Sequence, residues 1–255
     1  MTNPVIIGQI SDLHIGAEKK LRGESPEDNL LRAFKAMSVY KPDIILATGD
    51  LANDEGAEEY EVLAQLLPQS PAPVFLLPGN HDHPERMRAA FPDHGYFPGS
   101  GHLSYVIDHL PVRVVCIDQT EPGQVAGRFT PDHAAWLDAA LADAPDAPTL
   151  VALHHPPFQT NDILFDTIGL KGSELFESVI ARHKQVGRVT CGHHHRLTSG
   201  AVAHAPAVSA PSTAWSYGAA FRQGDQPAII TAEPPAFLLH VWTEAGGFAA
   251  HLQIF

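Results

Sequence analysis

The sequence predicts an α/β fold, and three observations carry that prediction. Short apolar runs alternate with amphipathic stretches long enough for helices. Five of those runs stop abruptly at Asp, Asn or His. Gly or Pro flanks each of the five exits, so special backbone is available where the polar groups gather.

The first run, Val5-Ile6-Ile7-Gly8-Gln9-Ile10, reads as a buried strand that leads straight into Ser11-Asp12-Leu13-His14. Asp12 and His14 are two apart and face the same way on extended backbone. Ser25-Pro26-Glu27-Asp28 has the form of a capping box with Pro at the first helical position. Behind it Leu30, Leu31, Phe34 and Met37 recur at helical spacing.

A second run, Ile44-Ile45-Leu46-Ala47, ends in Thr48-Gly49-Asp50, and a helix over about residues 57–67 follows with Tyr60, Leu63, Ala64 and Leu67 on one face. Val74 to Leu77 is the third strand, and Pro78-Gly79-Asn80-His81-Asp82 is its exit. Strand, helix, strand, helix, strand argues for parallel pairing through right-handed crossovers.

From Ser104 the rhythm changes. Ser104–Asp108 and Val112–Ile117 read as an antiparallel pair, and Thr130-Pro131 caps a helix carrying Ala134, Leu137 and Leu141. Thr149–Leu153 is a strand ending in His154-His155-Pro156-Pro157; a helix over about 173–183 leads to the strand Val186–Cys191 and to Gly192-His193-His194-His195. Residues 199–210 suggest two short strands with a turn near Pro206. Arg222–Pro235 reads as a loop, and Phe237–Thr243 with Phe248–Ile254 as a terminal hairpin through Gly246-Gly247.

Composition narrows the function. The chain has 255 residues, 44% of them hydrophobic, with 16 Lys plus Arg against 29 Asp plus Glu for a formal charge of -13. A surface of that sign argues against a long nucleic acid groove. It leaves room for a small phosphate ligand, because bound divalent cations invert the local field. The two cysteines, Cys116 and Cys191, each end an apolar run and read as buried thiols. No signal peptide and no membrane span are expected, so the expected location is cytoplasmic.

In open α/β sheets, ligands bind at the carboxyl ends of strands, so the five exits can converge on one place. Together they offer seven oxygen or nitrogen donors and no cysteine. That set exceeds the needs of one tetrahedral zinc and suits two metals of the Mn, Fe, Co or Zn kind.

Asp12-x-His14, Gly49-Asp50, Gly79-Asn80-His81-Asp82, His154 and Gly192-His193-x-His195 stand in the order found in the calcineurin-like binuclear metallophosphoesterase superfamily, which the chain resembles over about residues 5–215. Gly49-Asp50-Leu51-Ala52-Asn53-Asp54-Glu55-Gly56 and His154-His155-Pro156-Pro157 look like the class III cyclic nucleotide phosphodiesterases and bacterial glycerophosphodiesterases. The resemblance implies a four-layer α/β/β/α sandwich of two mixed sheets flanked by helices, forming one domain over 1–255. Segments 158–172 and 211–235 are candidates for a lid or a dimer contact in a homo-oligomer.

Carried over residue by residue, it implies two divalent transition metal ions. Asp12, His14 and His195 hold the first, Asn80, His154 and His193 the second, and Asp50 bridges both. His81 acts on the leaving oxygen, with Asp82 orienting groups nearby, while His155 and His194 stay outside the ligand set. The implied activity is hydrolysis of small phosphodiesters, cyclic nucleotides or glycerophosphodiesters, by a metal-bound hydroxide at a dinuclear site. Its alternatives are a phosphomonoesterase or nuclease on the same core, and a non-catalytic binding scaffold.

Overall fold

A computed structural model of the chain describes residues 3–225 and 233–255. In chain order the elements are β1 (Val5–Ile10), α1 (Pro26–Met37), β2 (Ile44–Thr48), α2 (Ala57–Leu66), β3 (Val74–Leu77), α3 (Pro84–Ala90), β4 (Tyr105–Ile107) and β5 (Arg113–Cys116). There follow β6 (Gly127–Arg128), α4 (Pro131–Ala142), β7 (Thr149–Ala152), α5 (Ile163–Thr167), β8 (Leu170–Lys171), α6 (Ser173–Arg182) and β9 (Val186–Cys191). Then come β10 (Thr198–Val202), β11 (Ala205–Ser209), β12 (Ala236–Thr243) and β13 (Gly247–Ile254).

The helix starts follow from their capping residues. Ser25 Oγ accepts from Asp28 N at 3.1 Å and the Asp28 carboxylate reaches back to Ser25 N at 3.3 Å. Thr130 and His133 form the same reciprocal pair at the start of α4, the His133 ring taking the usual place of Glu or Gln.

Two mixed sheets result, ordered β13-β12-β1-β2-β3 and β10-β11-β9-β7-β5-β4. As the strand-helix rhythm predicts, β1, β2 and β3 are parallel, and so are β5, β7 and β9. Leu30, Phe34 and Met37 of α1 pack with Ile10 and Ile45 on the outer face of the first sheet. Leu137 and Leu141 of α4, with Phe176 and Ile180 of α6, cover the second. Between the sheets Ile7, Ile44 and Leu46 meet Val114, Leu150 and Ala152. Each such side chain contributes about 1.5–3 kcal/mol when fully buried, so the platform under the strand ends is firmly packed. These are the four layers α/β/β/α.

Pro206 is not in a turn. The β10–β11 reversal falls at Ala203 and His204, with Ala203 in left-handed backbone at φ 51°. Pro206 sits inside β11, opposite Ala201 and one residue before pairing with β9 begins at Ala207, where its missing N–H costs no ladder bond. Both cysteines are buried free thiols. Part of the Arg222–Pro235 loop lies outside the described residues. No helix among the described residues is long and apolar enough to cross a membrane.

Candidate metal centre

All five exits meet at one end of the sandwich, but not on extended backbone. Asp12, His14, Asp50, His193 and His195 have φ of 52°, 47°, 51°, 64° and 55°. Left-handed backbone costs a non-glycine residue of order 1–3 kcal/mol, so its concentration here marks a site over-determined by its surroundings. Backbone bonds supply the constraint: Asp12 N to Gly49 O at 3.0 Å, His14 N to Asp50 O at 2.9 Å and Gly192 N to His154 O at 2.8 Å.

Close approach requires glycine at several of these turns, Gly79 and Gly192 among them. A Cβ on Gly79 would collide with the backbone and carboxylate of Asp50, and one on Gly192 with Ser11 Oγ and Asp12. Gly192 is thus needed for space and not for a left-handed turn, since its φ is not positive.

Ligand atoms of Asp12, His14, Asp50 and His195 lie within 4.8 Å of one another, as do those of His154, His155 and His193. Asp50 joins the two groups: its Oδ2 is 3.8 Å from His14 Nε2 and its Oδ1 3.3 Å from His154 Nε2. Asn80 Oδ1 is also 3.3 Å from His154 Nε2.

Hydrogen bonds decide which ring nitrogens remain available. His154 donates from Nδ1 to Thr48 O at 2.7 Å, and His195 from Nδ1 to Trp215 O at 2.8 Å, so both turn an Nε2 lone pair inward. His155 has both nitrogens engaged, with Gln119 Nε2 at 2.8 Å and Val125 O at 2.9 Å, so it offers no lone pair despite its position. His194 turns away toward Thr198 Oγ1 at 2.8 Å and Asp162 Oδ2 at 3.6 Å. His81 anchors Nδ1 on Asn53 O at 2.7 Å, with its ring edge-on to His14 and exposed to solvent.

The donor set fits metal. His14 Nε2 and His195 Nε2 are 3.1 Å apart, and Asp12 Oδ2 and His193 Nε2 are buried without partners. Such orphans are costly in a folded interior and would be satisfied by a cation beside each. Burial, reinforced by His195 and by His155 respectively, holds the His14 and His193 imidazoles well below their usual pKa, in the neutral form that ligates. Burial alone would raise the Asp50 carboxyl, but His154, His14 and His81 together hold it well below the usual range. Burial opposes charge on His154, yet Asp50 and then Asp12 lift it to about 9.

Asp82 accepts from Leu51 N, Ala52 N, Gly79 N and Tyr60 Oη at 2.8–3.1 Å, lashing the Asp50 loop to the Asn80 loop. Burial and the nearby Asp50 charge push it up to about 6. Gln119 and Tyr60 are functional neighbours that sequence reasoning missed. For Gln119 the signal was present, because Ile117-Asp118-Gln119 is a sixth apolar run ending in polar residues.

The outer segments reach the same place. Trp215 stacks on His14 with ring centroids 4.4 Å apart, Tyr217 lies 4.9 Å from His195, and Phe165 of α5 stands 4.7 Å from His194. Phe221, by contrast, is exposed.

The fold and this constellation of carboxylates and imidazoles define a dimetal phosphoesterase type of centre. The calcineurin-like phosphoesterase family model matches residues 6–197, and the chain belongs to that family. Members use two divalent metal ions, and the Asp and His clusters here are able to hold such a pair. A probable glycerophosphodiester phosphodiesterase of Arcobacter nitrofigilis is 29% identical over 97% of this chain and 92% of its own length. The 3',5'-cyclic adenosine monophosphate phosphodiesterase of Escherichia coli K12 is 31% identical over 75% of this chain and 70% of its own. A dimetal phosphatase from Danio rerio shares the fold with a TM-score of 0.71 at 14% identity, covering 98% of this chain and 99% of that one.

Proposed function

We propose that the chain is a metal-dependent phosphodiesterase acting on small diesters, with 3',5'-cyclic nucleotides and glycerophosphodiesters as the candidate substrates. The observation that carries the reading is Asp50, whose two oxygens face His14 and His154 and so address both halves of the centre at once. Asp12, His14 and His195 are assigned to one ion, Asn80, His154 and His193 to the other, and Asp50 to both. The names of the two curated relatives support a diester substrate.

When bound, two such ions lower the pKa of a water and neutralise charge on the phosphoryl oxygens. The protein's own residues do the rest. Asp50 and Asn80 would help hold the ions against which the ester binds, and His154 keeps its tautomer through Thr48 O. His81, fixed through Nδ1, presents Nε2 toward the leaving oxygen and in its protonated form gives it a proton.

The test is a screen of the Mn2+-reconstituted protein over 3',5'-cyclic nucleotides, 2',3'-cyclic nucleotides, glycerophosphodiesters and phosphomonoesters. Diesters should lead in kcat/KM, and chelation should abolish turnover. A higher kcat/KM for the monoesters overturns the reading.

A further inference from the structure

Gln9 is a fully buried amide one residue from the end of β1, within a run otherwise apolar but for Gly8. Its Nε2 donates to Thr48 Oγ1 at 2.9 Å and to the Cys191 carbonyl at 3.0 Å. Its Oε1 accepts from Thr190 Oγ1 at 2.6 Å and from His240 Nε2 at 2.9 Å. Because a carbonyl only accepts, the Cys191 contact fixes which way the amide points. All four of its hydrogen-bonding positions are used, and the partners sit on β2, β9 and β12. One side chain therefore stitches β1, β2 and β12 of the first sheet to β9 of the second.

Two of those partners, Thr48 and Cys191, are the last residues before ligand-bearing turns. Thr48 leads into Gly49-Asp50, and its carbonyl both receives His154 Nδ1–H at 2.7 Å and accepts from Ser11 Oγ at 3.2 Å. Cys191 leads into Gly192-His193. Filling the space between the sheets needs only an apolar side chain, which would avoid desolvating an amide and its four partners.

We propose that Gln9 is a positioning residue for the metal centre. It holds the ends of β2 and β9 at a set separation, orients His154 through Thr48, and places the His193 turn through Cys191. The inference rests on the assignment of His154 and His193 to one ion.

The experiment measures Mn2+ stoichiometry and affinity by calorimetry on chelator-treated protein, alongside Tm, kcat and KM. Four variants are compared with the parent: Gln9→Met, Thr48→Val, their double, and Val114→Ala. The last is an apolar core truncation between the sheets that removes no hydrogen-bonding group. The parent takes up two ions. In Gln9→Met one of them binds at least about tenfold more weakly, the loss typical of partners behind metal ligands. Thr48→Val weakens the same ion and stands in should Gln9→Met fail to fold, and the double is no worse than Gln9→Met, which already removes the Thr48 contact along with the Cys191 one. Val114→Ala lowers Tm and leaves both affinities at the parental value. Parental affinity for both ions in Gln9→Met or in Thr48→Val overturns the inference while the metal reading stands, as does an equal loss in Val114→Ala. A parent that takes up no stoichiometric Mn2+ overturns both.

Discussion

The two halves of the centre are built differently. Around His14 and His195 the donors include two carboxylates, Asp12 and Asp50, and all four residues lie on left-handed backbone. Around His154 and His193 the donors are imidazoles and the neutral Asn80, with only a share of Asp50. On the proposed assignment the first half would draw its affinity chiefly from carboxylate charge. The second depends on partners behind the ligands: Thr48 O for His154, Gln119 and Val125 to keep His155 out of the way, and Asp82 to fix the loop that bears Asn80. Charge density and positional support are thus divided between the two sites.

Removing the one residue common to both halves is the most damaging change. Asp50→Ala should lower kcat/KM for a good diester substrate by at least about 10³-fold, because the several kcal/mol supplied by paired ions is lost together. Metal analysis should then find fewer than two ions per chain with the circular dichroism of the parent. An Asp50→Ala protein that keeps two ions would abolish the bridging role.

His81 tests chemistry separately from metal. His81→Ala should bind both ions as the parent does and lose about 10²-fold in kcat on diesters with alkoxide leaving groups. The loss should be much smaller for bis(p-nitrophenyl) phosphate, whose leaving group needs no proton. Equal losses on both substrates would remove the proton from His81's role.

The asymmetry itself is read by pH. His154, lifted to about 9 by its neighbours, must shed a proton before it ligates. The ion assigned to Asn80, His154 and His193 should therefore gain about tenfold in affinity per pH unit between pH 6 and 8, as one proton is released. The ion assigned to Asp12, His14 and His195, where His14 is already neutral and Asp50 ionised, should respond less. Calorimetry in two buffers of different ionisation enthalpy counts the protons; identical counts for both ions would erase the distinction.

Much of this was legible in the sequence because ligand pairs sit at strand ends, where period and composition change together. Asp12-x-His14, Gly49-Asp50, Gly79-Asn80 and His193-x-His195 all lie where their apolar runs place them. What stayed hidden was short or non-local. Helix α5 has five residues and α3 seven, too few to set up a 3.6-residue period, although Pro84 and Glu85 do mark the start of α3. The left-handed backbone at Asp12 and His14 depends on bonds to Gly49 O and Asp50 O, so the expectation of extended backbone brought these two side chains together by the wrong route. Gln9 was visible as a polar residue inside a buried strand, but its partners are up to 231 positions away.

The smallest expected effect separates the support from the site. His240 is fully buried beside Gln9, and burial, with Arg188 adding repulsion, depresses it to about 3. A buried base depressed in this way stays neutral in the fold and charges freely in the unfolded chain, whose histidines titrate near 6.5. Its contribution to stability is complete above about pH 6.5 and is lost as pH falls toward 3, because the unfolded state binds the extra proton. His155, also held to about 3 by burial and His154, acts in the same window. Metal-free parent protein should therefore lose Tm steadily from pH 6.5 to 4. His240→Leu should start lower at pH 7, having stripped Gln9 Oε1 of one donor, but fall less steeply over the same interval. Parallel Tm-against-pH curves for the two proteins would mean that His240 is not the group that charges on unfolding.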